Sequence, residues 1–242
     1  MSFGLNNFTP SEGTYVSKIL LPGTHTCRII DLKLEKTPYD NAQYNLIFVL
    51  EGPDMGEDFK GIDIDKMNPA KGSYKGQIAS VRSGQFAFKD WEYKGKVIGR
   101  DESIQNFLGT FLTQVGLLEK FQQLGVEADT IEDLVTNIKL FIAKPSLTFA
   151  FTIGAQKYYK DGSEYPNYSL FLPKKTEGKF AYAKDETDPK LIIFNEDVHV
   201  YEKKAAEPSP EVAGFEPATN NAPVFKDDSS LFQENINDLM LP

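Results

Sequence analysis

Residues 24–52 read THTCRIIDLKLEKTPYDNAQYNLIFVLEG, two strand-forming stretches separated by a polar turn at Pro38-Tyr39-Asp40-Asn41. β-Branched and aromatic residues suit a pleated, half-buried surface, whereas Pro, Asp and Asn suit turns, so a hairpin of strands 24–35 and 43–52 is expected. Alternation along the first strand places Cys27, Ile29 and Asp31 on one side and the other apolar residues opposite. The second strand is fully apolar at its centre. What this hairpin packs against decides the fold.

Upstream, residues 1–22 are mixed and turn-rich, an N-terminal arm. Downstream, residues 53–77 are loop-rich, and SGQFAFKDWEYKGKVIG (83–99) reads as a third strand. Its alternation puts Phe86 and Phe88 on one face, and a change of side near Asp90 brings Trp91 and Tyr93 forward with the basic residues. At residue 101 the period becomes 3.6: Ile104, Phe107, Leu108, Phe111, Leu112 and Val115 form one apolar stripe on a helix. Asp101 and Glu102 suit its start and Gly116 its end. A short helical piece is expected at 117–124. Thr130 with Asp133 forms a capping box for a helix carrying Ile131, Leu134, Val135 and Ile138. SLTFAFTI (146–153) alternates with Leu147, Phe149, Phe151 and Ile153 inward, KDGSEYP turns the chain, and NYSLFLP (167–173) returns it. LIIF (191–194) and VHVY (198–201) read as edge strands.

Three strands, helices, then two strands is the order of the OB-fold barrel, which is favoured over another small α+β sheet of the same order. The expected architecture is mainly β with helices. A five-stranded OB-fold-like barrel occupies 23–202, with a helical insertion at about 101–140 between strands 3 and 4. From residue 203, Ala, Glu, Pro, Ser and Asn replace the strand formers, so 203–242 is expected to be a flexible, disordered acidic tail.

Catalytic chemistry is sparse. The two histidines, His25 and His199, are far apart in strand-like segments, and neither GxxxxGK[ST] nor GxGxxG occurs. The single cysteine, Cys27, excludes an internal disulfide and a Cys-based zinc site, and its strand position marks it as a small core residue. In GIDIDKMNP (61–69), Asp63 and Asp65 share one side of a strand, as metal-binding carboxylates of nucleases do. Without a supporting Glu, His or Lys constellation nearby, they read first as solvated acids at a strand edge flanking Ile62 and Ile64. No enzyme activity and no cofactor are expected. No apolar run approaches the roughly 18–20 residues a membrane span needs. MSFGLNNFTPSEG lacks the basic and apolar regions of a signal peptide, so an intracellular, soluble protein without a membrane partner is expected.

Charge is distributed unevenly. The chain carries −9 overall, and residues 205–242 hold seven acids against one base, Lys226. Between residues 71 and 100 the balance reverses: Lys71, Lys75, Arg82, Lys89, Lys94, Lys96 and Arg100 face only Asp90 and Glu92. Tyr74, Trp91 and Tyr93 are interleaved with them, while Phe86, Phe88, Phe149 and Phe151 are assigned to the core. A second cluster holds Lys157, Tyr158, Tyr159, Lys160, Tyr165 and Tyr168, followed by Lys174, Lys175, Lys179 and Phe180. Cations that neutralise phosphates and rings that accept unstacked bases are what single-stranded nucleic acid requires. The predicted DNA contacts are Lys71, Tyr74, Lys75, Arg82, Lys89, Trp91, Tyr93, Lys94, Lys96, Lys157, Tyr158, Tyr159, Lys160, Lys174 and Lys175.

The tail ends DDSSLFQENINDLMLP (227–242), where Ser230 and Gln233 have the spacing of a capping box. Asp227, Asp228, Leu231, Phe232, Ile236, Asp238, Leu239, Met240 and Leu241 are the predicted partner-binding residues. A helix this short orders mainly on a partner. Such a segment suits docking on another protein, or occupying the chain's own cationic cleft in place of nucleic acid.

LPGTHTCRIIDLKLEKTPYDNAQYNLIFVLEG (21–52) and FTIGAQKYYKDGSEYPNYSLFLPK (151–174), separated by a helical segment and followed by an acidic ending in DLMLP, resemble the single-stranded DNA-binding proteins of bacteriophages. The resemblance implies a phage-encoded protein of DNA replication or recombination, located in the host cytoplasm, that recruits polymerase, helicase or recombination factors through its tail. The tail departs from the common bacterial form in being less densely acidic and in ending Leu-Pro rather than in Phe. A phage structural, assembly or protein-docking module that never meets nucleic acid is the competing reading. Its mark would be buried aromatics. Oligomeric state is left open.

Overall fold

The computed structural model describes residues 17–56, 76–85, 87–160, 162 and 164–202. Among them, the elements follow in the order β1 (Gly23–Lys36), β2 (Tyr44–Asp54), β3 (Gly76–Arg82), β4 (Trp91–Tyr93), β5 (Lys96–Ile98), α1 (Arg100–Gln114), α2 (Leu118–Gln122), α3 (Ile131–Ile142), β6 (Phe149–Tyr158), β7 (Asn167–Phe171), β8 (Tyr182–Ala183), α4 (Glu196–His199) and β9 (Val200–Glu202).

The long first strand pairs twice. Its start, Gly23–Cys27, runs antiparallel to β6, with Thr24 opposite Thr152 and Cys27 opposite Phe149. Its remainder pairs with β2, with Leu32 opposite Phe48 and Lys36 opposite Tyr44. β2 pairs with β3 and β6 with β7, both antiparallel, while β3 meets β7 in parallel at Arg82 and Phe171. The circuit β1-β2-β3-β7-β6-β1 is therefore a closed five-stranded, OB-like barrel, with the helices between its third and fourth strands as the element order predicts.

The readings of the third strand and of the facing of β1 are corrected. The third barrel strand is Gly76–Arg82, not 83–99. Its core contribution is only Ala79 and Val81, a weaker signal than the aromatic alternation that follows it. Residues 83–99 instead make one bridge, Phe88 to Tyr44, and then the β4–β5 hairpin, which is a separate two-stranded sheet. In β1 the register shifts between Ile29 and Asp31. This bulge leaves Cys27 and Ile29 in the core and returns Leu32 to it, where strict alternation would have put Leu32 outside. Asp31 instead accepts the Leu32 N–H and pairs with Lys139 of α3 at 2.9 Å.

Phe111 of α1 plugs the barrel. Its ring lies 5.2 Å from Phe48, 6.4 Å from Phe151 in a stacked arrangement and 5.1 Å from Tyr182. Ile104, Leu108 and Leu112 of the predicted stripe are buried with it. Phe88, Phe149 and Phe151 are core residues as expected. Thr130 caps α3 by accepting the Asp133 N–H at 3.1 Å, and Ile131, Val135, Ile138 and Ile142 form its buried face.

The C-terminal stretch covers the outside of β6. β8 pairs with it, Thr152 donates its N–H to Ala181 and its hydroxyl to Ile192, and β9 pairs with it further along. Of the two predicted edge strands, 191–194 contributes only the Leu191–Phe180 bridge, and 198–201 is divided between α4 and β9. The described end of the arm belongs to the barrel edge: Leu20 is buried and its N–H donates to Ile78. Among the described residues no helix is long and apolar enough to cross a membrane.

β3 and the chain after β7 approach closely at Gly84. Leu172 donates its N–H to Arg82 at 2.8 Å, and a Cβ on Gly84 would fall inside contact distance of the Leu172 carbonyl oxygen. A Cβ on Gly109, within α1, would meet nothing within 4 Å. Gly84→Ala is expected to lower stability by about 1–3 kcal/mol through overpacking, and Gly109→Ala to raise it by about 1 kcal/mol through helix propensity. Urea denaturation measures both, and a Gly84→Ala variant as stable as the parent would refute the close approach.

Candidate nucleic-acid interface

Side chains that alternate into the barrel leave their neighbours outside. On β2 the outward set is Asn45, Ile47, Val49 and Glu51, and on β3 it is Ile78, Ser80 and Arg82. Ile30, Val49 and Ile78 form a second, smaller buried cluster on this side. The remaining part stays accessible, and the strand register aligns it: Lys33 lies opposite Ile47, Ile47 opposite Arg82, and Arg82 opposite Phe171. This row crosses four strands and alternates cations with apolar side chains. Arg82 donates to the Ser169 hydroxyl of β7, and Tyr201 lies against Phe171 with ring centroids 5.6 Å apart.

The β1–β2 loop, residues 37–43, borders this face. Its backbone is fixed by Thr37, which donates its N–H to Gln43 and its hydroxyl to Asp40. Tyr39 is 60% exposed. Its phenol titrates above the ordinary value because surrounding chain shields it from water, and the Arg82 guanidinium opposes that shift. Arg82 is the one residue of this row that the sequence analysis singled out. Tyr39, Lys33 and Phe171 were missed, because strand register rather than local composition brings them together.

The β4–β5 hairpin holds Trp91, Tyr93, Lys94 and Lys96 as one group. Trp91 donates its indole N–H to Ser103 at 3.3 Å, the Tyr93 ring lies 6.2 Å from it, and the Lys94 ammonium sits 5.0 Å over Tyr93. Lys94 and Gly95 both have positive φ, 50° and 77°, the requirement of a type I′ two-residue turn. Trp91 and Tyr93 are half-buried. Lys89, exposed, lies just before the hairpin.

The β6–β7 hairpin holds the second predicted cluster. Lys157 lies 5.5 Å over the Tyr159 ring, and Tyr158 points to the same outer side as Gly154 and Gln156. Tyr159 is 50% exposed and Tyr165 is 79% exposed, and Lys160 is exposed between them. Lys174 is exposed beside Gly84, and Lys175 lies 5.4 Å over Phe180. Lys71, Tyr74, Lys75, Phe86, Asp63, Asp65 and the tail residues 227–241 lie outside the described residues.

The histidines pack locally: His25 bonds the Leu21 carbonyl at 2.9 Å, and His199, in α4 rather than a strand, accepts the Asn195 N–H at 3.0 Å. Burial lowers the His199 pKa. Cys27 is buried in the core as expected. Burial, reinforced by Glu186 and Glu51, pushes its thiol up from 9.0 to about 12. The unfolded chain therefore releases this proton first, and stability falls as pH rises from about 9 to 12. A Cys27→Ala variant is expected to lose less stability over that interval than the parent. A disulfide reagent at pH 8 is expected to label Cys27 only as fast as the protein unfolds, and immediate labelling of native protein would contradict this burial. No protein-family model, curated protein sequence or solved structure matches the chain, so closure and strand order alone relate it to OB-like barrels.

Proposed function

We propose that the protein binds single-stranded DNA across the outer face of its barrel and acts in DNA replication or recombination. One observation carries the proposal: the Lys33–Ile47–Arg82–Phe171 row crosses four strands beside exposed Tyr39. Strands 2 and 3 with the flanking loops are the surface on which OB folds take up oligonucleotides. Lys33 and Arg82 suit phosphates, whereas Tyr39, Tyr159 and Tyr165 suit unstacked bases. The exposure of those tyrosines favours this reading over a protein-docking module with buried aromatics. The acidic tail recruits replication or recombination proteins and competes with DNA for the cationic surface.

Fluorescence anisotropy of labelled oligo-dT tests the proposal. Full-length protein is expected to bind with an affinity that falls steeply with salt, and Lys33→Ala and Arg82→Ala should each reduce the log–log salt slope by about one. Tyr159→Ala should cost about 1 kcal/mol, roughly fivefold. Residues 1–204, which retain every described element, should bind more tightly than full-length protein, most visibly at low salt. Absence of binding at low salt sinks the DNA reading, and equal binding by the truncated chain sinks tail competition.

A further inference from the structure

We infer that Asp90 and Arg100 form a bracket that holds the β1–β2 loop and the β4–β5 hairpin in one arrangement, and that both are positioning residues for DNA binding; this rests on the single-stranded DNA reading above. A two-stranded hairpin is marginally stable alone in water, so the place of this one depends on what grips its base. The Asp90 carboxylate accepts the Arg100 N–H at 2.7 Å, closing the base just outside the Trp91–Ile98 rung. From there Arg100 reaches the loop. Its guanidinium lies 4.3 Å over the Tyr44 ring and donates to the Ala42 carbonyl at 3.2 Å, and Nε donates to Asp101 at 2.7 Å.

The bracket has fixed walls. Tyr44 exchanges both backbone hydrogen bonds with Phe88, at 3.0 and 2.7 Å, and donates its hydroxyl to Glu132 of α3 at 2.7 Å. Trp91 is tied through Ser103, whose hydroxyl donates to Gly99 at 3.0 Å. Arg100 thus commits Nε and Nη1 to protein acceptors, and its side chain is only 23% exposed, an arrangement for positioning rather than for gripping phosphate. Stacking on Tyr44 while donating to two acceptors needs a planar fork, which lysine lacks.

The sign of one substitution separates this from simple charge. Asp90 is an exposed anion next to Lys89, at the base of a hairpin that carries Lys94 and Lys96, so on charge alone Asp90→Ala tightens binding to a polyanion. The bracket predicts the opposite. Asp90→Ala and Arg100→Lys should each weaken oligo-dT binding about five- to tenfold with the salt slope unchanged. Because Trp91 is the chain's single tryptophan, its quenching at saturating oligo-dT reports hairpin position in the bound, folded protein, and should fall below the parent value. Tighter binding by Asp90→Ala, unchanged binding by Arg100→Lys, parental quenching at saturation, or a slope reduced by about one in Arg100→Ala overturns the inference. If the parent protein binds no oligo-dT, the DNA reading fails by itself. Acrylamide quenching of Trp91 in free protein still decides the bracket: increased accessibility in both variants upholds it, and parental accessibility overturns it.

Discussion

One strand closes the structure. β1 passes from β6 to β2 between Cys27 and Arg28, and no other described strand joins the two antiparallel parts of the barrel in antiparallel register. A strand that serves two neighbours in succession must bend, and the bulge between Ile29 and Asp31 supplies the bend soon after the change of partner. The bulge also turns Asp31 toward Lys139, which ties the barrel wall to α3. Just before the bulge, Arg28 pairs with buried Glu51, which also accepts the Gly76 N–H. A buried carboxylate is costly unless paired, so these partners explain how Glu51 is tolerated there.

The inside and outside of the barrel have different tasks. Inside, aromatic rings converge on Phe111, and tilted and edge-on pairs fill a volume that aliphatic side chains alone would leave less directional. Outside, the C-terminal stretch shields β6 and touches β7 through Tyr201 on Phe171, but leaves Lys33, Ile47 and Arg82 partly accessible. The surface proposed for binding is what remains after the barrel has covered its other faces. Its cations stand on strands fixed by that core, while its most exposed tyrosines stand on connections.

Helices were legible because their periods are long: the stripe from Ile104 to Val115 and the Thr130 cap specify α1 and α3 without tertiary information. β6 and β7 were equally plain, since Phe149, Phe151 and Ile153 alternate with small or hydroxylated residues. β3 was hidden because it contributes only two apolar side chains to the core, and the neighbouring aromatics drew the assignment away. The candidate site was legible where composition is local, as in the two basic, aromatic hairpins. It was illegible where register makes it: Lys33, Ile47 and Phe171 are distant in sequence, and nothing in their own neighbourhoods marks them as a row.

The contact between β3 and β7 is a single parallel register pair, extended by the Leu172 N–H to Arg82. Every other junction of the barrel has a longer ladder, so this is where the wall would unzip first in a breathing motion. Arg82 and Phe171 stand on opposite lips of that seam. A polymer laid across them would act as a suture. By linkage, whatever free energy it gained from finding the lips together would be returned as resistance of the wall to opening, so occupancy and mechanical integrity of the barrel would rise and fall as one quantity.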